Sequence, residues 1–333
     1  MDTVSIVRQT RRPVTDRAPS VQSSPTDRRG LKIGTRGSRL ARAQAHAVRD
    51  ALAAAEGVAP ETHEIVVVST AGDRILDRPL AEIGGKGLFT EEIEAGLLDG
   101  SLDLAVHSAK DLPTLVPEGL AIAGYLPRED VRDVLIGRTA ATLAELPPDA
   151  RVGTASLRRT AQVRRLRPDL HVVSFRGNVQ TRLDKLARGE VDATLLALAG
   201  LKRLGMAEVA TEVLAIDTML PAVGQGAIAV ESRAADAAVN ARLARILDRD
   251  TGIALAAERA FLAALDGSCR TPIAGYAVVD GDRLNFRGLI LTPDGVESHA
   301  LDDTGATADA EAIGRSAGER LKSRCGPDFF HVA

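Results

Sequence analysis

The sequence predicts an α/β fold with mostly parallel sheets, followed by a small α+β unit. From Leu31 onwards, short apolar runs alternate with helical segments, as is typical of parallel strands joined by crossover helices. Near the C-terminus the pattern changes to a helix, hairpin strands and a last helix, which indicates a separate unit. The chain has 333 residues and 45% apolar content, enough for two or three compact domains.

Residues 1–30 precede this pattern and predict a disordered tail. They are rich in Ser, Thr, Pro and Arg and have no helical or strand period. An organelle transit peptide is an alternative, but Asp2, Asp16 and Asp27 weigh against it.

The first α/β part begins with a strand and a helix that Ser38 caps at its N-terminus. A second strand and a helix from Thr90, closed by Gly100, come next, and three further strands end this part. The strands are predicted at 31–35, 64–70, 102–108, 120–126 and 133–137, and the helices at 38–56 and 90–98.

The second part repeats the alternation from Arg151. Its strands are predicted at 151–155, 171–175 and 193–200, and its helices at 156–167 and 178–189. A Pro-containing turn at 219–231 leads to the last unit. That unit has a helix at 252–265, a loop at 266–272, hairpin strands around Asp280-Gly281-Asp282, a strand at 284–292 and a helix at 309–325.

Positive charge is concentrated in one segment and predicts an anionic ligand. Residues 151–205 carry twelve basic and four acidic residues, whereas the whole chain has a net charge of −3. Arg158, Arg159, Arg176 and Arg203 follow predicted strands, and the carboxyl ends of strands form the binding crevice of open α/β sheets. A solvated helix face is the alternative, above all for Arg164, Arg165, Arg167 and Arg188.

A second strand end carries polar residues in LDLAVHSAKDLPT. His107, Ser108, Lys110 and Asp111 follow an apolar strand and precede Pro113, so they lie on a short, stiff turn. Asp111 suits the role of a general acid or base, or the stabilisation of a cation, and Lys110 suits the binding of an anion. A salt bridge between the two within the turn is equally compatible. His107 is expected to be a packed, hydrogen-bonded histidine.

Two loops carry further candidates. AEIGGKGLFTEE holds Lys86 among three glycines and reads as a lid or as an ordinary flexible loop. Cys269 follows a long helix beside Arg270, where a neighbouring cation favours the thiolate. From these residues alone, Cys269 is a covalent attachment point, a nucleophile or a small buried apolar side chain.

Composition excludes several classes of function. Two cysteines and six scattered histidines do not form a zinc site. Aromatic residues make up 2%, too few for the stacking platforms of single-strand nucleic-acid binding. The sequence shows neither a membrane-spanning run nor a signal peptide, and we therefore expect a cytoplasmic protein with no membrane or nucleic-acid partner.

Motifs in order along the chain resemble the porphobilinogen deaminase (hydroxymethylbilane synthase) family. They are GTRGS, AQAH, GDRILDRPLAEIGGKGLFTEEIE, LDLAVHSAKDLPT, REDVRDVL, VGTASLRR, FRGNVQTRL, LALAGLKRLG, LPAVGQGA, ERAFLAALDGSC and TPIAGY. The resemblance implies a transferase of tetrapyrrole (heme) biosynthesis that joins four porphobilinogen molecules head to tail, with loss of ammonia. Water then releases the product, hydroxymethylbilane.

The same resemblance implies a cofactor and a set of site residues. A dipyrromethane cofactor is expected on Cys269 through a thioether, with Asp111 as the catalytic carboxylate. The cofactor-binding residues implied are Cys269, Lys110, Asp111, Ser156, Arg158 and Arg159. The substrate-binding residues implied are Arg36, Ser38, Gln44, Arg176, Arg182 and Arg203, and Lys86 and Phe89 fall in the mobile active-site loop. No metal is expected.

The resemblance also implies three domains, a monomeric state and a transfer of the product to the next enzyme. Two doubly wound domains like those of periplasmic binding proteins are expected around a cleft, with a small C-terminal α+β domain. The expected division is a tail at 1–30, domain 1 at 31–128 and 222–246, domain 2 at 129–221 and domain 3 at 247–333. A monomer that hands its product to the next enzyme of the pathway is expected. Arg39, Arg42, Ala109 and Ala155 depart from the family pattern beside matched positions.

Two other classes of protein compete with this interpretation. A non-catalytic anion-binding protein of the two-domain solute-receptor type shares the α/β pattern and the basic cleft. A nucleic-acid-binding module would use residues 151–205, but the low aromatic content disfavours it.

Overall fold

The structure is a computed structural model that describes residues 30–70, 90–266, 271–326 and 328–330. Most of the predicted tail, the loop with Lys86 and Phe89, and Cys269 therefore lie outside the described residues. The described strands are β1 Lys32–Arg36, β2 Glu64–Val68, β3 Leu104–Ser108, β4 Leu120–Tyr125, β5 Asp133–Gly137, β6 Arg151–Gly153, β7 His171–Val173, β8 Ala193–Ala197, β9 Glu212–Val213, β10 Ile228–Arg233, β11 Ile273–Asp280, β12 Arg283–Leu291 and β13 Ser298–Ala306. The described α-helices are α1 Arg39–Glu56, α2 Glu91–Leu98, α3 Leu157–Leu166, α4 Val179–Ala187, α5 Leu198–Arg203, α6 Ala237–Leu243, α7 Arg249–Ala264 and α8 Ala310–Lys322.

The first two sheets share one topology. The first has the strand order β2-β1-β3-β10-β4, and the second has the order β7-β6-β8-β5-β9. In each sheet the fourth strand is antiparallel to its neighbours, and the first three are parallel. The α/β prediction is confirmed, with one antiparallel strand in each sheet.

The chain crosses between these sheets twice. The segment 126–132 leads from β4 to β5, and the segment 214–227 leads from β9 back to β10. Each antiparallel strand is thus the first strand after a crossing. The two crossings bring the carboxyl ends of strands from both sheets towards a common region.

The third unit is α+β, as predicted. Strands β11, β12 and β13 form an antiparallel sheet, and helices α7 and α8 pack together against it. The rings of Phe261 and Phe286 lie 5.0 Å apart in its core. The same apolar cluster includes Ala109, Leu112 and Val223, so the third unit also packs against the turn that carries Asp111.

Glu258 of α7 joins the third unit to both crossing segments. Its carboxylate is fully buried and accepts hydrogen bonds from both terminal nitrogens of Arg128, at 2.6 and 3.0 Å. It also accepts from the backbone N–H groups of Gly224, at 2.7 Å, and Ala277, at 2.8 Å. Because buried charges need partners, this group fixes the two crossings to each other.

Local predictions were mostly confirmed, with a few corrections. Ser38 caps α1 by accepting from the backbone N–H of Ala41, as predicted. Thr90 stands at the N-cap of α2 without a side-chain cap bond, and α2 ends at Leu98 with Gly100 in the left-handed region. The predicted strand 193–200 ends at Ala197, where α5 begins.

Three strands and two α-helices of the described structure had not been predicted, namely β9, β10 and β13 and the helices α5 and α6. Strand β10 begins inside the segment predicted as a turn at 219–231 and runs on to Arg233, and α6 follows it. Strand β13 completes the third sheet.

We propose the domain division from this sheet membership. Domain 1 would comprise 31–128 and 222–246, which hold every strand of the first sheet, and domain 2 would comprise 129–221. Domain 3 would comprise 247–333. In the described part of the chain, no helix combines the length and apolar character that a membrane crossing requires.

Candidate active site

A cavity of about 1270 Å³ opens between the carboxyl ends of strands from the first two sheets. Most of the predicted site residues line it, although they are far apart in the sequence. They are Arg36, Ser38, Gln44, Lys110, Asp111, Ser156, Arg158, Arg159, Arg176 and Arg182. The sheet topology therefore brings these residues together; the strand-end argument had predicted this for Arg158, Arg159 and Arg176.

Asp111 lies on a 3₁₀ turn, Ala109–Asp111, that follows β3 directly. Its side chain is exposed to the cavity, whereas Lys110 is half-buried. Gly224, with a φ of +73°, packs under this turn, and a Cβ there would lie 3.0 Å from the carbonyl carbon of Ala109 and from the amide nitrogen of Lys110. Only glycine fits this close approach without displacing the turn.

Two neutral side chains support the same strand end. Gln44 of α1 is buried, and its Nε2 donates to Ser108 Oγ at 2.9 Å. The Ser108 hydroxyl lies 3.1 Å from Gln44 Oε1. Since α1 begins at the Ser38 cap, this pair joins the helix to the strand before Asp111.

Arg158 and Arg159 stand in the first turn of α3, which Ser156 caps. Both are buried, and Asp133 lies between them. Arg158 Nη2 donates to Asp133 Oδ2 at 2.7 Å, and Arg159 donates to Oδ1 from Nη2 at 2.7 Å and from Nε at 3.1 Å. Burial alone would raise the pKa of Asp133, but the charges of the two arginines hold it well below its usual range. One carboxylate thus pairs with two cations, and the cluster of Asp133, Arg158 and Arg159 keeps a net positive charge.

Lys110 contacts Gln225 and does not pair with Asp111 as a turn salt bridge would require. Its Nζ donates to Gln225 Oε1 at 3.3 Å, and Gln225 Nε2 donates to Asp133 Oδ1 at 2.9 Å. Burial lowers the pKa of Lys110 to about 8, and the charge of Arg159 acts in the same direction. An anion bound beside Lys110 would reverse this effect.

Further cations come from the second sheet. Arg182 of α4 donates from Nε to the carbonyl of Gly177 at 2.9 Å. Burial lowers the pKa of Arg182 to about 10, with the charges of Arg159 and Arg176 adding to the effect. Lys185, which sequence reasoning did not single out, lines the same cavity and donates to the carbonyl of Arg176 at 3.2 Å.

Arg203 does not line the cavity. It lies at the end of α5 rather than directly after a strand, and its Nη2 donates to the carbonyl of Gly226 at 2.7 Å. The prediction of its place after a strand was wrong, because the apolar run turns helical at Leu198. Its role in substrate binding stays a prediction.

The helix-face alternative holds for some basic residues. Arg167 donates to Asp169 and to the carbonyls of Leu143, Ala144 and Leu146, and Arg188 pairs with Glu190. Arg164 and Arg165 line a smaller cavity of about 870 Å³. Arg164 also lines the larger cavity and donates to the carbonyl of Pro293.

His107 is buried, and its Nε2 lies 3.1 Å from a carboxylate oxygen of Glu231. The prediction of a packed, hydrogen-bonded histidine is confirmed.

Sequence reasoning missed Asp133 and Gln225. Asp133 is the first residue of the otherwise apolar strand β5, and a buried acid in such a place needs a cationic partner. That signal could have linked Asp133 to the adjacent arginine pair. Gln225 lies in a glycine-flanked turn, and nothing local marks its contacts.

The cavity fits a ligand with several carboxylates. The Nε of Arg158 is buried and has no hydrogen-bond partner among the described residues, so a carboxylate oxygen would satisfy it. A dipyrromethane that carries acetate and propionate groups fits such a set of donors. Within the described residues, no group of His, Cys, Asp or Glu is arranged to hold a metal ion.

These features define a cleft protein of the α/β class whose cavity presents a carboxylate, Asp111, among several cations. The profile of "Porphobilinogen deaminase, dipyromethane cofactor binding domain" matches residues 31–241, and "Porphobilinogen deaminase, C-terminal domain" matches residues 253–323. The chain belongs to the porphobilinogen deaminase family. A porphobilinogen deaminase from Nitrobacter winogradskyi is 59% identical over 298 residues, covering 90% of this chain and 94% of that protein.

Solved structures of other proteins are similar at a lower level. A putative methionine-binding lipoprotein from Bacillus subtilis has a TM-score of 0.41 and 12% identity, over 66% of this chain and 91% of its own. A periplasmic substrate-binding protein of an ABC transporter from Coxiella burnetii has a TM-score of 0.40 and 14% identity, over 66% and 92% of the two chains.

Proposed function

We propose that this porphobilinogen deaminase works with Asp111 as its catalytic carboxylate and with a dipyrromethane bound covalently to Cys269. The observation that carries the proposal is the cleft in which Asp111 stands among cations from both sheets. When bound, the dipyrromethane supplies the free pyrrole α-carbon to which the first substrate ring is joined. Cys269 itself lies outside the described residues, and its assignment rests on the family motif.

The cations of the cleft would bind the carboxylates of the ligands. Each porphobilinogen carries an acetate and a propionate, and arginine holds carboxylates in a bidentate manner. Arg158, Arg159 and Lys110, with Ser156 as a hydrogen-bonding neighbour, would hold the cofactor. Arg36, Arg176 and Arg182 would hold the substrate, with Ser38 and Gln44 beside them.

Asp111 would act on the charge that develops in the substrate. The protonated aminomethyl group of the substrate leaves as ammonia when its C–N bond breaks with both electrons on nitrogen, so positive charge spreads to the pyrrole nitrogen. The carboxylate of Asp111 accepts a hydrogen bond from that N–H and stabilises the charge as it forms. Its fixed turn after β3, braced by Gly224, keeps the carboxylate in place before the reaction begins.

Mass spectrometry of the intact protein tests the attachment. The protein, produced in a host that makes porphobilinogen, should carry a dipyrromethane mass on the Cys269 peptide and give colour with an acidic aldehyde reagent. Cys269→Ser should lose both signals, and Cys325→Ser, the matched control at the half-buried free cysteine, should keep both. An unmodified wild-type Cys269 peptide together with no product would refute the proposal.

The role of Asp111 has its own test. Asp111→Asn should keep the adduct but lower kcat by about 10²- to 10³-fold, the usual effect of removing one preorganised electrostatic group. Asp99→Asn, on the exposed end of α2, is the control and should turn over normally. Rapid turnover by Asp111→Asn would mean that another group stabilises the charge.

We also propose a cytoplasmic monomer that hands its product to the next enzyme of the pathway. Light scattering should give a mass near 35.0 kDa. A larger assembly at working concentration would contradict the monomer, and the lack of any cross-link between the two enzymes would contradict the hand-over.

A further inference from the structure

Gln225 is the point where the two α/β sheets meet beside the proposed site. It is 1% exposed and lies in the second crossing segment, between Gly224 and Gly226, both at positive φ. A Cβ at Gly226 would lie 2.4 Å from the carbonyl oxygen of Glu129, so the backbone of this turn is tightly confined. The Gln225 carbonyl accepts from Nε of Arg128 at 2.9 Å, which fixes the turn further.

The hydrogen bonds assign the orientation of the Gln225 amide. Its Nε2 has two acceptors, the carbonyl of Val131 at 2.7 Å and Asp133 Oδ1 at 2.9 Å. Its Oε1 faces the Lys110 ammonium, which can only donate. The opposite orientation would set N–H groups against an ammonium and oxygen against two acceptors, so this one is strongly preferred.

We infer that Gln225 is a positioning residue whose amide bridges the two sheets and holds Lys110 beside the Arg158–Arg159 pair. Lys110 follows β3 of the first sheet, and Asp133 begins β5 of the second. Because the bridging group is neutral, it holds the ammonium without neutralising it. The charge of Lys110 thus stays available for a ligand carboxylate, a use that rests on the proposed function.

Charged groups face Lys110 from three elements. Arg158 and Arg159 face it from α3, Asp133 from β5 and Asp111 from its own turn. A hydrogen bond that accepts from the charged form favours that form. Loss of the Gln225 amide should therefore make Lys110 easier to deprotonate.

The inference is tested on the full chain, produced in a host that makes no porphobilinogen and labelled with ¹³C at lysine Cε. The chain has few lysines, and Lys110→Arg assigns the Lys110 signal. We expect wild-type Lys110 to titrate near pH 8 and Gln225→Met to lower that midpoint by about one pH unit. Gln162→Met is the control. Gln162 is also buried, but its amide bonds to Leu220 and to the carbonyl of Arg158 and not to Lys110. This variant should leave the Lys110 midpoint unchanged.

Gln225→Glu should shift the Lys110 midpoint in the opposite direction, and it provides a second test if the Met variant does not fold. A carboxylate beside Nζ should raise the midpoint by roughly 1–3 pH units. Equal Lys110 midpoints in wild type and in either folded Gln225 variant would refute the inference that the Gln225 amide holds Lys110. Loss of the Cys269 adduct from wild type would instead count against the proposed function.

Discussion

Replacing Asp133 with asparagine should destabilise the protein severely. The carboxylate is 0% exposed and accepts four hydrogen bonds between 2.7 and 3.1 Å, three from Arg158 and Arg159 and one from Gln225. Removing one partner of a buried ion pair costs about 3–5 kcal/mol, because the other charge stays buried and unpaired. Two guanidinium groups lose their counter-ion here, so we expect a loss near the upper end, about 5 kcal/mol.

Urea denaturation at pH 7, followed by circular dichroism, measures this loss. With a slope of about 3 kcal/mol per M, the midpoint should fall by more than about 1 M urea. Asp130→Asn is the matched control, because Asp130 pairs with Arg132, whose side chain is 42% exposed. That pair should contribute less than about 1 kcal/mol.

The pH dependence adds a second check on Asp133. Its pKa in the folded state lies below the ordinary value of 3.8, so its contribution is complete above about pH 4 and is lost as the pH falls further. The difference between wild type and Asp133→Asn should therefore be constant from pH 7 to about 5 and shrink below pH 4. A loss below about 1 kcal/mol at pH 7, or one that does not change on acidification, would refute the reasoning.

Three further predictions concern the cleft and its supports. Arg182→Leu should stall the growing chain, visible as discrete covalent intermediates by mass spectrometry; a normal rate with one unshifted species would indicate a surface role. Gly224→Ala should cost about 1–2 kcal/mol for its left-handed backbone and also lower kcat, since the new Cβ displaces the Asp111 turn; Gly252→Ala, where a Cβ meets nothing within 4 Å, is the control. Glu258→Gln should destabilise by about 3–5 kcal/mol in denaturation, because Arg128 loses its buried partner; an unchanged midpoint would show that the crossings do not depend on it.

Local chemistry explains which elements could be predicted. The Ser38 cap and the strand at 133–137 depend on neighbours in sequence, and both were found. Strand β10 was missed because its partners, β3 and β4, lie more than a hundred residues away in the chain. The run 193–200 has no polar side chain apart from Thr194, so periodicity cannot separate its strand from α5.

Prediction of the site residues from the sequence has the same limit. Strand-end position predicted that Arg158, Arg159 and Arg176 would converge, because the carboxyl ends of strands form the crevice of open α/β sheets. It could not predict that Asp133 would already pair with both arginines. A sequence shows how many cations a segment carries, whereas only the packing shows which of them keep free charge.

That distinction bears on how the cleft can bind anions. The Asp133 group keeps one net positive charge from its two arginines, and Lys110 and Arg182 have lowered pKa values because burial disfavours their charged forms. A carboxylate placed between them would favour those charged forms again. Because burial lowers the pKa of Lys110 to about 8 in the free protein, we expect the binding of a carboxylate above that pH to take up a proton, and the affinity to fall as the pH rises. A neutral ligand would leave the cost of burying these cations uncompensated, so we expect the cleft to prefer carboxylates.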